Sequence, residues 1–473
     1  MLFNTLTFVV FAAAFFSLWT IVRRYAPKSG AWLFLVLASS IFYGWWDWKF
    51  LFLLMGSGML DYLISLGMAR FPNRKGWLLA VSVVGNLGTL FIFKYLGLAT
   101  ESLGWLFGAD LSVKSLTLPV GISFYTFQSM SYTIDVYRGS LKPVRNPLHF
   151  LAYLSLFPQL VAGPIVRASQ LLPQLEQLPA STRSQRWQGL KKIAIGLVKK
   201  SIVADTVGDI VNFHYSMGTG PTESAITWWI VAVLFAIQIY CDFSGYSDIA
   251  IGLGRWMGLE FPENFRHPYV ATSFRDYWNR WHISLSTWFR DYLYFPLARR
   301  WRGRVGTLAA VNITFIVSGL WHGAGWNFLI WGALHGFLLT FEQLTHWDRK
   351  VLKLPGGRYI AMFIVFVTVC IGLVIFRAQN FEQTATILRI MFTFETSEPT
   401  WFGSHWQFYE YPHWVLIPGA FLIYEFVQGS IRSKAAKPSK GSGTYLQAVG
   451  IALVLLAAVF LRGPISNFVY FQF

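Results

Sequence analysis

Long apolar stretches separated by short charged segments recur throughout this chain of 473 residues. A helix needs about 20 apolar residues to cross a hydrocarbon core of about 30 Å. In lipid, only helices and closed barrels satisfy all their backbone hydrogen bonds. The pattern predicts an all-α, polytopic transmembrane bundle with about 10 to 12 spans. The apolar stretches lie at 5–22, 31–46, 50–69, 77–97, 117–136, 190–212, 225–250, 306–322, 326–343, 358–376, 414–428 and 445–461.

Composition supports lipid as the solvent of this chain. Hydrophobic residues make up 55% and charged residues 13% of the sequence, a balance that soluble domains of this length do not normally show. Aromatic residues reach 18%, with 22 Trp, which is typical of interfacial belts. The composition excludes an ordinary soluble enzyme.

The formal net charge of +17 has a topological explanation. Basic residues lie in short segments between apolar stretches, as the positive-inside rule expects of cytoplasmic loops, so we predict no nucleic-acid partner. Arg23 and Arg24 follow the first apolar stretch, the reverse of a cleavable signal peptide, which predicts a retained first helix. Together with Arg70 and the acidic loop at 100–115, they place the N-terminus outside the cytoplasm.

Two segments interrupt the regular alternation of spans and loops. Residues 148–164 are apolar but contain Pro158, Gly163 and Pro164 and have basic flanks, which favours a re-entrant segment whose broken backbone is enclosed by protein. Residues 255–305 are aromatic and too rich in arginine to face lipid. They are predicted to form interfacial helices on the cytoplasmic side of a single membrane domain that spans 1–473.

A polar stripe is predicted within the segment Phe274–Ser286, FRDYWNRWHISLS. A continuous helix would align Arg275, Asn279, His282 and Ser286 at spacings of four, three and four residues. Such a stripe suits the wall of a polar cavity. The alternative is an interfacial helix with snorkelling arginines and a hydrogen-bonded histidine.

A second set of residues surrounds His322 in the segment SGLWHGAGWNFLIWGALHG. An ionisable side chain at membrane depth is costly and indicates a function. Gly319 with Gly323, and Gly332 with Gly336, have the spacing that lets helices approach closely. His335 on the following helix is interpreted as structural.

The segment 238–254, QIYCDFSGYSDIAIGLG, places carboxylates in an apolar helix. Asp242 and Asp248 need partners there, which we predict to be Arg or His side chains from the two preceding motifs. A polar-network role is favoured over direct proton transfer.

The two cysteines indicate neither a disulfide framework nor a metal site, and no metal is predicted. P-loop, GxGxxG, HExxH and GxSxG patterns do not occur in a credible context, which argues against ATP-driven transport and hydrolase chemistry.

These motifs resemble the membrane-bound O-acyltransferase family, in its bacterial branch that acetylates exported polysaccharides such as alginate. The similarity extends over most of the chain. It rests on MLFNTLTF at the start, PVGISFYTFQSMSYTIDVYRG at 119–139, FPQLVAGPIVR at 157–167, QIYCDFSGYSDIAIGLG at 238–254, NFRHPY at 264–269, FRDYWNRWHISLSTWFRDYLYFPL at 274–297, SGLWHGAGWNFLIWG at 318–332 and the final YFQF.

The resemblance implies that His322 is the catalytic histidine and His282 a second active-site histidine. It also implies a funnel or tunnel through the bundle, where acetyl-coenzyme A from the cytoplasm meets an acceptor from the opposite face of a bacterial inner membrane. No permanently bound cofactor is expected. The partners expected are acetyl-coenzyme A, membrane lipid and a periplasmic acetyltransferase or relay protein. We assign supporting or donor-binding roles to Asn279, Arg275, Ser286, Ser318, Trp321, Asn327 and Asp242.

Other functions stay open at this stage. The related D-alanyl branch takes its acyl group from a carrier-protein thioester, and transfer to peptidoglycan is a further alternative. The motifs do not specify whether the exported polysaccharide is alginate or a cellulose-like glycan. From a different class, a polysaccharide transporter would commonly show paired halves with matching broken helices, which the sequence does not display.

Overall fold

The computed structural model describes residues 1–109, 116–217, 224–393, 413–432, 445–460 and 463. Within these ranges every regular element is helical, which confirms the predicted all-α class. The α-helices are α1 Leu6–Tyr25, α2 Lys28–Asp47, α3 Lys49–Arg70, α4 Lys75–Leu90, α5 Leu96–Phe107, α6 Ile122–Tyr137, α7 Pro147–Ser155, α8 Phe157–Leu160, α9 Ala168–Gln177, α10 Arg183–Leu197, α11 Asp205–Met217, α12 Ala225–Met257, α13 Phe274–Trp278, α14 Ile283–Phe289, α15 Phe295–Arg300, α16 Arg304–His322, α17 Trp326–Thr345, α18 Trp347–Val351, α19 Gly357–Arg377, α20 Phe381–Thr393, α21 His413–Arg432 and α22 Tyr445–Phe460.

Short helices of other types connect some of these elements. The π-helical turns are Phe91–Tyr95, Val198–Ala204 and Arg290–Tyr294, and the 3-10 turns are Pro72–Arg74 and Pro268–Val270. The loop predicted at 100–115 is wrong up to Phe107, which is the last residue of α5. Residues 110–115 and the final YFQF lie outside the described residues.

Seven helical stretches of the described chain are long and apolar enough to cross a membrane, which confirms a multi-pass membrane protein. They are α1, α2, α3, the combined stretch Pro72–Phe107, α12, α16 and α19. Shorter apolar helices cover Leu416–Gly429 and Gln447–Leu456. The other apolar stretches of the sequence also contain helices, and the count of 10 to 12 spans stays a prediction.

The contacts divide the helices into two compact units. The first comprises Met1–Gly196, Tyr246–Glu263 and Gly441–Ala448, and the second comprises Leu197–Gly245, Asn264–Lys440 and Val449–Phe473. The long helix α12 contributes to both. A single membrane domain stays a prediction.

A buried carboxylate joins three helices of the first unit. Asp61 on α3 accepts hydrogen bonds from Ser82 Oγ at 2.6 Å, from Asn86 Nδ2 at 2.8 Å and from Ser129 Oγ. Its side chain is fully buried, and these donors offset the desolvation of a carboxylate in an apolar bundle. The cluster therefore fixes α3, α4 and α6 to one another.

The predicted re-entrant segment is a broken, buried helix. α7 ends at Ser155, Leu156 has φ −53° and ψ 112°, and α8 then continues for a single turn. Leu156, Phe157 and Leu160 are fully buried. Enclosure by protein is the condition under which irregular backbone is tolerated at membrane depth, while entry from the cytoplasm stays a prediction.

The second unit is organised around the helical pair α16 and α17. A Cβ atom at Gly319 would overlap the carbonyl group of Phe328, and one at Gly332 would overlap that of Phe315. The glycines therefore allow the two backbones to approach closely, as their spacing predicts.

Candidate active site

His322 is the last residue of α16. Gly323 follows it in an extended conformation, with φ −159° and ψ 154°, so the helix ends at the histidine. A Cβ atom at Gly323 would overlap the ring of Phe328, which explains the need for glycine directly after His322. The tight turn into α17 thus fixes the place of the imidazole.

Three aromatic rings surround the His322 imidazole. Its centroid lies 4.9 Å from that of Trp321, 5.0 Å from Trp331 and 5.4 Å from Phe376. His322 is only 3% exposed. The rings limit the access of water, and a neutral imidazole in this position can accept a proton.

The second histidine lies between two short helices rather than on a continuous helical face. α13 ends at Trp278, Asn279 is its C-terminal cap, and His282 precedes α14 with φ 41° and ψ 53°. The predicted helical stripe through Arg275, Asn279, His282 and Ser286 is therefore wrong in its secondary structure. A left-handed residue cannot continue an α-helix.

Hydrogen bonds with residues 264–266, in the segment after α12, stabilise the break between α13 and α14. The amide of Ile283 donates to the Asn264 carbonyl at 2.8 Å. The amide and hydroxyl of Ser284 both donate to Asn264 Oδ1, at 3.2 and 2.9 Å. The amide of Arg266 donates to the carbonyl of Arg280 at 2.9 Å. His282 is thus clamped on both sides in a left-handed conformation that a side chain rarely adopts alone.

Both histidines lie near the same indole ring. The Trp321 centroid is 6.2 Å from His282 and 4.9 Å from His322. Phe243 on α12 packs edge-on against His282, with centroids 4.5 Å apart. His282 is fully buried, and this burial lowers its pKa to about 3, so its imidazole is neutral at physiological pH.

A cavity of about 600 Å³ adjoins this site. Four of the predicted supporting residues line it together, namely Arg275, Asn279, Ser286 and Ser318. Ser318 lies one helical turn before His322, so the cavity wall and the histidine share the last turns of α16. A helix break, rather than a helical stripe, brings these residues together at the cavity.

The remaining predicted residues have other positions. Trp321 lies near both histidines. Asn327 Nδ2 donates to the carbonyl of Ala378 at 2.9 Å, which ties the start of α17 to the end of α19. Trp278, which a continuous helix would direct away from the polar face, lines the cavity. His335 is buried and packs between the rings of Trp278 and Trp331, in keeping with its structural interpretation.

The partners of the α12 carboxylates differ from those predicted. Asp242 is paired with Lys200 at 2.8 Å, and Lys200 also contacts Asp205 at 2.7 Å. Asp248 is paired with Lys192 at 2.6 Å. In both of these ion pairs the cation is a lysine, where arginine or histidine was expected. Their occurrence inside the apolar stretch 190–212 was the signal that sequence reasoning missed.

Glu342 is a supporting residue that sequence reasoning did not identify. Its carboxylate, buried on α17, accepts hydrogen bonds from the amides of Phe274 at 2.6 Å and Arg275 at 3.3 Å. It caps the start of α13 from another helix. The short helix that carries Arg275 is therefore anchored to α17.

A second buried acid supports the NFRHPY segment. Glu425 on α21 lies 2.7 Å from His267 Nδ1 and accepts a hydrogen bond from the Tyr240 hydroxyl at 3.2 Å. Since His267 is also left-handed, with φ 46°, this contact fixes the turn that follows Asn264. The only sequence signal for it was an acidic residue in an apolar stretch.

The fold and the site define a multi-pass helical membrane protein with a buried histidine pair beside a cavity. Residues 142–380 match the model of the membrane-bound O-acyltransferase family. The chain is 38% identical over 371 residues to the probable alginate O-acetylase AlgI of Pseudomonas putida, covering 76% of this chain and 75% of that protein. It is 34% identical over 426 residues to the peptidoglycan O-acetyltransferase of Helicobacter pylori, covering 83% and 80%.

A third similarity, to the teichoic acid D-alanyltransferase of Bacillus subtilis, reaches 31% identity over 282 residues, covering 56% of this chain and 70% of that protein. The family match spans half of this chain, and the relatives cover most of it. The chain belongs to the membrane-bound O-acyltransferase family and is an O-acyltransferase.

Proposed function

We propose that the chain passes acetyl from cytoplasmic acetyl-coenzyme A across the bacterial inner membrane for O-acetylation of an exported polysaccharide. The observation that carries this proposal is the position of His322, enclosed by aromatic rings one turn beyond a wall of the cavity. The 38% sequence identity with a probable alginate O-acetylase over 371 residues supports acetyl as the acyl group and an alginate- or cellulose-like glycan as the acceptor.

The cavity offers a place for the donor. Arg275 and Arg290 line it, and guanidinium groups bind phosphates well. The phosphates of coenzyme A would be very costly to bury in lipid. In this proposal they stay at the cytoplasmic side, near the arginines, while the acetyl-pantetheine arm extends towards Ser318 and His322.

The reaction transfers acetyl from sulfur to oxygen. His322 accepts the proton of the acceptor hydroxyl as its oxygen attacks the thioester carbonyl carbon. The tetrahedral intermediate then collapses, the carbon–sulfur bond breaks, and the imidazolium returns the proton to the departing thiolate. His282 or Asn279 orients the acyl carbonyl and stabilises the developing oxyanion.

A periplasmic acetyltransferase or relay protein is the proposed partner. Acetyl arrives from one face of the membrane and the polymer lies at the other, so a second protein has to receive the acetyl group or present the glycan. The test is reconstitution of the chain in vesicles with labelled acetyl-coenzyme A, with and without that partner. Label in the polymer that depends on His322 supports the proposal, and unchanged labelling by His322→Ala contradicts it.

D-alanyl transfer is the second candidate, favoured by the 31% identity with a teichoic acid D-alanyltransferase. Acetyl transfer and D-alanyl transfer differ in the donor, since D-alanyl transfer uses a carrier-protein thioester in place of acetyl-coenzyme A. Offering both donors to the same vesicles separates them. Turnover of the D-alanyl thioester but not of acetyl-coenzyme A would replace the main proposal, and polymer export without acyl transfer would indicate a transporter.

A further inference from the structure

A group of exposed arginines lies where α15 ends and α16 begins. Its members are Arg299, Arg300, Arg302 and Arg304. The helix α16 is long and apolar enough to cross a membrane, and it begins at Arg304. The arginines therefore lie at the end of a candidate span, at the level of a membrane surface. Residues 299–305 are called the arginine segment below.

The positive charge of the arginine segment is not neutralised within the part of the chain that the structure describes. None of its guanidinium groups forms an ion pair there. The sequence has no acidic residue between Asp291 and Glu342. Asp291 is paired with Arg290 at 2.8 Å, and Glu342 accepts hydrogen bonds from the amides at the start of α13. The guanidinium groups are therefore available to an anion from outside the described chain.

Other basic segments of the chain have acidic neighbours. Lys28 lies 2.9 Å from Glu176, and Arg349 and Lys350 directly follow Asp348 on α18. The positive-inside rule accounts for basic residues at the cytoplasmic ends of spans, but it does not require so many arginines without acidic neighbours in one turn. The local density of charge thus indicates a ligand for the arginine segment.

The backbone of the arginine segment forms a tight turn. The amide of Trp301 donates to the carbonyl of Leu297 at 2.9 Å, which ends α15. Gly303 has φ 92°, a conformation that favours glycine. A Cβ atom at Gly306 would overlap the carbonyl of Trp301, so the first turn of α16 packs directly on the end of α15. The arginines of the two helix ends are therefore held close together.

Exposed apolar side chains alternate with the arginines. Trp301 is 39% exposed and Val305 is 81% exposed. In segments that lie on a membrane, apolar side chains enter the boundary between headgroups and acyl chains while basic side chains remain among the headgroups. Tryptophan is enriched at that boundary. A free phosphate or an acidic soluble protein would not account for these apolar residues, so the composition favours a lipid surface as the partner.

We propose that the arginine segment binds the headgroups of anionic phospholipids, with its guanidinium groups on the phosphates and Trp301 at the edge of the acyl region. Guanidinium groups match phosphate oxygens with paired N–H donors. A basic cluster beside a membrane span is the sequence pattern of anionic lipid binding. The inference goes beyond the proposed function, because lipid binding at this segment does not depend on which acyl group is transferred or on its acceptor.

The test is calorimetric titration of the detergent-solubilised full chain with short-chain phosphatidylglycerol, and with phosphatidylcholine that has the same acyl chains. Both lipids have a phosphate, but only phosphatidylglycerol has a net negative charge. We expect the wild type to bind phosphatidylglycerol more tightly, and added salt to reduce the difference. Arg302→Gln/Arg304→Gln should lower the affinity for phosphatidylglycerol about 10-fold or more, as the loss of two basic residues at an anionic surface predicts, with little change for phosphatidylcholine.

A second variant and a matched control accompany this test. Arg299→Gln/Arg300→Gln changes the other helix end and should show a similar loss. Arg349→Gln/Lys350→Gln removes the same charge from exposed positions on α18 and should leave both affinities unchanged.

Three results would overturn the inference. One is equal affinity of the wild type for the two lipids. Another is an equal loss of affinity in the α18 control, which would indicate a general effect of net charge. The third is a higher KM for acetyl-coenzyme A in Arg302→Gln/Arg304→Gln with unchanged lipid affinities, which would assign these arginines to the donor.

Discussion

The surroundings of His322 suit a proton acceptor more than a structural anchor. Its neighbours are three aromatic rings, which shield the imidazole from water without requiring that it be charged. Replacing it therefore removes chemistry and some packing, whereas the turn after it depends on Gly323 and Phe328.

We predict that His322→Ala lowers acetyl transfer by roughly 10²- to 10⁴-fold, the usual contribution of a general acid–base group, while the protein still accumulates in the membrane. The measurement is labelled acetyl in the exported polymer, normalised to the amount of inserted protein. His335→Gln is the matched control, because it replaces another buried histidine among tryptophans. A retained rate in His322→Ala would exclude His322 as the base.

His282 gives a prediction about pH. Burial lowers its pKa from 6.5 to about 3, so between these values the folded chain binds fewer protons at His282 than the unfolded chain does. The free energy of unfolding should therefore decrease as the pH falls from about 6.5 towards 3, by up to about 1.4 kcal/mol per pH unit. Above pH 6.5 this contribution is constant.

The measurement is denaturant unfolding of the detergent-solubilised chain at several pH values, for the wild type and for His282→Gln. The variant lacks this titrating group, so its free energy of unfolding should fall less steeply with acid. Parallel curves for the two proteins would show that folding does not lower the pKa of His282.

Sequence reasoning singled out the candidate catalytic residues because the signal for them is local. A histidine at the end of an apolar stretch, with glycines after it, indicates a function from its own neighbourhood. Asn264 and Glu342 were missed because their roles depend on partners far along the chain: Asn264 binds Ser284, and Glu342 binds the amide of Phe274. No spacing rule within a helix connects such residues.

At the scale of elements, the break between α13 and α14 decides the form of the site. The sequence from Phe274 to Ser286 is compatible with one helix, and the structure forms two short ones with His282 between them. Hydrogen bonds from the segment 264–266 to 280–284 stabilise this alternative. Tertiary contacts have overridden local periodicity, which is why the predicted continuous helix was wrong, whereas the supporting roles of these residues stay a prediction.

We predict that Asn264→Ala lowers kcat by about 10-fold or more and changes KM for the donor little. The substitution leaves the amide and hydroxyl of Ser284 without their Oδ1 acceptor, at a cost of about 1–3 kcal/mol, and so loosens the conformation of His282. Asn264→Asp keeps an acceptor oxygen and should restore most of the rate. The measurement is steady-state acetyl transfer in membranes.

The control for this prediction is Asn146→Ala. Asn146 Oδ1 accepts from the amide of Leu148 at 2.9 Å as a helix cap, so its loss should lower stability by about 1 kcal/mol without changing kcat. If Asn264→Ala behaved like Asn146→Ala, then Asn264 would stabilise the fold only and would not position His282.

At the scale of the whole molecule, charge predicts the orientation of the chain in the membrane. Basic residues at 23–28 and 70–75 lie at the ends of the helices α1 and α3, two spans apart, so both segments should face the cytoplasm. The 99–115 segment should then lie outside. Cysteine labelling at residues 73 and 105 of intact cells tests this: label at 105 only is expected, and label at 73 only would invert the scheme.

The orientation leads to a prediction about the side from which the donor enters. The segment that carries Arg275 and Arg290 lies on the basic side in this topology, and both side chains line the cavity next to the histidines. Coenzyme A carries several negative charges and would be excluded from lipid, whereas the acetyl-pantetheine arm is slender and nearly neutral. Acetyl-coenzyme A should therefore be consumed only when it is offered at the cytoplasmic face.

Sealed vesicles of opposite orientation provide the measurement, with release of the coenzyme A thiol as the readout. Inside-out vesicles should turn over external acetyl-coenzyme A, and right-side-out vesicles should do so only after they are made permeable.

Arg275→Gln should raise the KM for acetyl-coenzyme A about 10-fold, because it removes a charge-assisted contact to phosphate. Arg389→Gln is the control, since Arg389 is exposed on α20 and does not line the cavity. Turnover by intact right-side-out vesicles would place the donor entrance on the opposite face and overturn this assignment.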